Sequence, residues 1–123
     1  MIVSALALLA LLTPSAIQDP PVDLDQAVVC AAVASSEVAR LDGYAASRSL
    51  TADEQAHRTD MSLILDRGLV VLNAWRATST PADVETLRQR VEPRTVALDT
   101  GPMADWNAEI NKCGTLFGLA DRG

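Results

Sequence analysis

From Leu24 onward, apolar residues return every three or four positions, the period of a helix with one buried face. Leu24, Ala27, Ala31, Ala34, Val38 and Leu41 form the first such stripe. Asp23, followed three residues later by Gln26, predicts a capping box at its start. Asp42-Gly43 predicts its end near Leu41, with glycine supplying a left-handed cap and residues 44–50 forming a loop. Thr51 and Glu54 repeat the capping-box pattern ahead of a longer helix reaching about Ala77. Its stripe, Met61, Leu65, Gly68, Leu72 and Trp75, contains a glycine that predicts close approach of another helix. Thr80-Pro81 with Asp83 opens a third helix carrying Val84, Leu87, Val91 and Leu98. The apolar phase survives across Pro93, which predicts a bend rather than a break. After Gly101-Pro102, a fourth stripe runs through Met103, Trp106, Ile110, Cys113 and Phe117. No stretch alternates apolar and polar residues as a strand would, so the fold class is all-α.

The first residues read differently. Ile2 to Leu12 is apolar apart from Ser4, and small residues Thr13, Pro14, Ser15 and Ala16 follow. The run is short for a bilayer span and suits the hydrophobic part of a secretion signal. Residues 1–16 are therefore expected to be a signal peptide, residues 17–22 a linker stiffened by Pro20-Pro21, and residues 23–123 a helical bundle domain. Export places the protein in the periplasm or outside the cell, where the two cysteines, Cys30 and Cys113, would pair as a disulfide.

Cys30 falls about seven residues into the first helix and Cys113 about six before the end of the fourth, so at about 1.5 Å per residue they share one height if these helices run antiparallel. Short connections between the later helices favour antiparallel neighbours. The expectation is an up-down-up-down four-helix bundle closed by one disulfide. Such a bundle gathers Tyr44, His57, Arg94 and Trp106 at the end far from the termini, and these are the candidate ligand-binding residues.

The chemistry read from motifs is sparse. Glu54-x-x-His57 matches half of a di-metal bundle motif, but the chain has 1 His, so no metal site is expected and a helix cap plus a surface histidine explains the pair. No glycine-rich phosphate loop and no Cys-x-x-Cys-His haem motif occur, and no cofactor is expected. Trp75 and Trp106 lie in apolar stripes, where core packing is the default.

Composition then narrows the partners. The chain of 123 residues is 49% hydrophobic but only 3% aromatic, so its core is aliphatic. A net charge of −6, with no basic cluster, argues against nucleic acid and against membrane surfaces beyond the signal segment. Arginine dominates the basic residues and alanine is abundant, as in GC-rich bacterial genomes. The expected function is non-catalytic: a binding or interaction protein of the bacterial envelope, taking an unknown protein or a small apolar ligand. The alternative is an enzyme or metal-dependent sensor using His57 and nearby carboxylates. An exposed apolar patch favours the first, a concave pocket holding His57 and a carboxylate the second.

Overall fold

A computed structural model describes residues 23–119. The expected signal peptide and linker lie outside these residues. Four helices and no strand occur among them: α1 (Leu24–Ala45), α2 (Ala52–Arg76), α3 (Pro81–Thr100) and α4 (Met103–Leu116). None of these helices is long and apolar enough to cross a membrane.

Local signals explain most of the helix ends. Thr51 and Glu54 form a reciprocal capping box, with Glu54 N donating to Thr51 Oγ1 at 3.1 Å and Thr51 N to Glu54 Oε1 at 2.9 Å. Arg48 also grips Glu54, through two contacts of 2.8 Å, and together with the cap it holds the carboxyl down to about 2. Thr80 and Asp83 close a second box around Pro81. α3 continues through Pro93, as its unbroken apolar phase predicts.

The start and end of α1 depart from expectation. Asp23 caps it by accepting from Asp25 N, but Gln26 does not complete a box. Its side chain turns inward to polar partners on α3 and α4, leaving it 5% exposed. The helix also passes through Gly43 and runs to Ala45, shortening the predicted loop. The Arg40 guanidinium lies 5.5 Å from the Tyr44 ring centre, an i, i+4 contact that holds only if the backbone between them stays helical. The left-handed glycine sits instead at Gly118 (φ 72°), where Leu119 N reaches Gly114 O and Gly118 N reaches Thr115 O in a Schellman motif closing α4.

α1 is the centre of the packing. It touches all three other helices, most extensively α2, whereas α2 and α3 scarcely meet. One face of α1 builds a core with Met61, Ile64 and the Cys30–Cys113 disulfide, whose Cα atoms are 5.5 Å apart. The other buries Val29 and Val33 against Leu87 and Val91. The close α1–α2 approach depends on small side chains: a Cβ at Gly68 would lie 3.0 Å from Ala27 O and 3.1 Å from Ala31 Cβ. Backbone oxygen cannot swing aside as a side chain can. Gly68→Ala is therefore expected to lower stability by about 1 kcal/mol, because overpacking costs about 1–3 kcal/mol and outweighs the helix-propensity gain of about 1 kcal/mol. Urea unfolding of the variant checks this, and an unchanged or higher midpoint would contradict it.

Candidate functional site

Two polar residues share the inward stripe of α1 that carries Cys30. These are Gln26, one helical turn before the cysteine, and Glu37, one turn after Ala34. A charged or amide group on a buried face needs partners, and both have them.

Glu37 is 6% exposed and gathers three side chains from three helices. Arg40 Nη2 donates to Oε2 at 2.6 Å, His57 Nε2 lies 2.9 Å from the same oxygen, and Trp106 Nε1 donates to Oε1 at 2.7 Å. A carboxylate can only accept, so the His57 tautomer in this contact carries its hydrogen on Nε2. Burial pushes the Glu37 carboxyl up, but the contacts with Arg40, His57 and Trp106 together hold it below the usual glutamate range.

The carboxylate borders an open cleft of about 780 Å³ where α1 ends, α2 begins, α3 ends and α4 begins. Tyr44, His57 and Trp106 all line it, together with Leu98 and Met103. Tyr44 is held between Arg40 and Arg48, whose guanidinium carbons lie 5.5 and 4.8 Å from the ring centre. Arg94 is not brought there. It lies further back along α3, level with the start of α1, where Nη2 donates to Gln26 Oε1 at 2.7 Å. Gln26 Nε2 in turn donates to Glu109 Oε1 at 2.6 Å and lies 3.3 Å from Cys30 Sγ. No buried side-chain nitrogen or oxygen among the described residues lacks a hydrogen-bond partner.

His57 thus has a different partner from the one its own helix suggests. Glu54 is occupied by Arg48 and the Thr51 cap, and Glu37 reaches His57 from α1. Among the described residues no group of three or more His, Cys, Asp or Glu side chains could hold a metal ion. The His57 side chain is 33% exposed, so losing it removes a partly solvated contact. His57→Ala is expected to fold with a stability loss of under about 1 kcal/mol, read as a small change in thermal midpoint. A large loss would mean that the imidazole is a structural member of the core.

A second concavity lies between α2 and α3, the helices that scarcely meet. Its floor is α1, through Val28 and Ala32, and Leu72, Trp75, Val84 and Leu87 form its walls. The groove encloses about 390 Å³ and is apolar except at its rim. There Arg88 is held by Glu85 and Glu92 of its own helix. Sequence patterning did not locate this groove, since short connections suggest that consecutive helices pack side by side. Trp75 and Trp106 are each only partly buried, one in the groove and one in the cleft.

No family model matches the chain, and comparison with curated proteins and with solved structures finds no match.

Proposed function

We propose that this is a non-catalytic binding protein of the bacterial envelope, exported by its first 16 residues to the periplasm or beyond, which takes its ligand in the apolar groove between α2 and α3. The groove itself is the observation that carries the reading: a concave apolar surface on a scaffold stapled by one disulfide. The disulfide agrees with an oxidising compartment.

The helices are read as an up-down-up-down bundle. The approach of Gly68 to Ala27 and Ala31, with Glu37–His57 further along, supports opposite senses for α1 and α2. Asp25–Arg90 and Gln26–Arg94 set α3 alongside α1 in the same sense. Cys30–Cys113 and Glu37–Trp106 set α4 antiparallel to α1.

The competing reading, an enzyme or sensor built on His57, has in its favour the open cleft of about 780 Å³ that holds His57 2.9 Å from the Glu37 carboxylate. Against it, both Glu37 oxygens are engaged and its proton affinity is lowered, which makes it a weak base near neutral pH.

The test is binding of an apolar fluorescent probe, N-phenyl-1-naphthylamine, to protein exported from the full chain and recovered from the periplasm. Binding is expected in the unaltered protein and in His57→Ala, and is expected to disappear in Val84→Glu, which puts a charge on a groove wall already 37% exposed. Loss in His57→Ala with retention in Val84→Glu would transfer the site to the cleft and favour the competing reading. Absence of binding throughout would remove the groove reading.

A further inference from the structure

We infer that the ligand of the groove is a free fatty acid, a single acyl chain whose carboxylate is held by Arg76. The inference rests on the groove reading above and adds the chemical class of the ligand.

Size comes first. A helix of about 10 Å diameter and 5.4 Å pitch fills roughly 420 Å³ per turn. The groove, at about 390 Å³, takes less than one such turn but accommodates a single flexible hydrocarbon chain. Its walls suit that chain: aliphatic side chains with one indole, Trp75, and no polar group on the floor to demand a hydrogen-bond partner.

Charge then selects the head group. Three charged side chains border the groove: Arg76, Arg88 and Glu92. Arg88 and Glu92 pair with each other, and Arg88 also pairs with Glu85. Among the described residues Arg76 has no ion pair and no side-chain hydrogen bond, although it is the last residue of α2 and stands at the rim. The groove therefore presents one uncompensated cation beside an apolar trough. A planar guanidinium matches a carboxylate with two parallel hydrogen bonds. One chain and one carboxylate satisfy both features. The net charge of −6 does not oppose this strongly, since charges more than about 8 Å away are screened at physiological salt.

Calorimetric titration of the exported protein with octanoate, decanoate and dodecanoate, and with the alcohols of equal length, tests the assignment at 0.15 M salt and below micellar concentrations. Affinity is expected to rise about fourfold per added methylene until the groove is filled. Each acid is expected to bind about fivefold more tightly than its alcohol, and Arg76→Gln is expected to erase that difference while leaving alcohol binding intact. Among the described residues Arg76 has no ion pair or side-chain hydrogen bond to lose, and glutamine keeps part of its stem, so this variant is expected to keep the scaffold. Val84→Glu is expected to remove binding of both series. Equal affinity for acid and alcohol in the unaltered protein would overturn the fatty-acid assignment and leave the groove reading standing. The same holds if the naphthylamine probe binds at Val84 but no acyl chain does. If neither probe nor acyl chain binds, both readings fall.

Discussion

Replacing Cys30 and Cys113 together by alanine is expected to destabilise the protein by about 4–5 kcal/mol, the largest effect of any change considered. The bond joins residues 83 apart, and in the chain-entropy account a loop of that length, once opened, returns about that much freedom to the unfolded chain. For a domain of this size it corresponds to a fall of about 20 °C or more in thermal midpoint. The loss should be greatest at α4. That helix buries only Cys113 completely, and its other anchors are partly exposed side chains. Both sulfurs sit where burial is complete, 0% and 1% exposed, so alanine removes the bond without introducing a polar atom into the core. Urea unfolding of the variant, and of the unaltered protein with and without reductant, checks the expectation. Amide exchange should show α4 losing protection before α1 and α2. A midpoint unaffected by both reduction and substitution would refute the prediction.

The helices were legible because each carries its own local evidence. The capping boxes at Thr51–Glu54 and Thr80–Asp83, the proline opening α3 and the small-residue approach at Gly68 all follow from chemistry within a few residues. The errors came where a local signal competes with a tertiary one. Gly43 resembles a helix stop, yet the Arg40–Tyr44 contact carries α1 past it. Gln26 resembles half of a capping box, yet a buried position beside Arg94 and Glu109 claims its side chain.

The candidate sites divide in the same way. Topology placed Tyr44, His57 and Trp106 at one end of the molecule, because helix ends are predictable, but it misplaced Arg94, whose position depends on how far α3 is shifted along α1. Glu37 was overlooked although its signal was present: counted from Cys30 and Ala34, it is the charged residue on the inward stripe. A buried carboxylate draws donors from whichever elements surround it, and no spacing within one helix names those partners. The groove was hidden for a related reason. Whether α2 and α3 touch is decided by how both pack on α1, which is a property of the assembled core and not of either stripe.

Glu37 supports the second large prediction. Glu37→Gln is nearly isosteric but replaces one acceptor oxygen with a two-hydrogen donor. Arg40 and His57 contact one oxygen and Trp106 donates to the other. Whichever way the amide turns, its nitrogen therefore faces a group that already points hydrogen at it. The expected cost at neutral pH is about 2–3 kcal/mol, the range for losing hydrogen bonds to a charged acceptor and leaving a buried donor unmatched. It corresponds to roughly 10 °C in thermal midpoint. The pH dependence has a definite sign. The folded carboxyl has a lower proton affinity than the ordinary glutamate value of 4.5, so the unfolded chain binds more protons through the acidic range. The stability from Glu37 is then fully present above that ordinary value and disappears as pH falls through the lowered folded value. The gap between the unaltered protein and Glu37→Gln should consequently be wide at pH 7 and should narrow in strong acid, where the unaltered side chain is itself protonated. Urea midpoints of both proteins at neutral and acidic pH measure this directly. A gap that is absent at pH 7, or that widens on acidification, would show that Glu37 does not join α1, α2 and α4 as a charged acceptor.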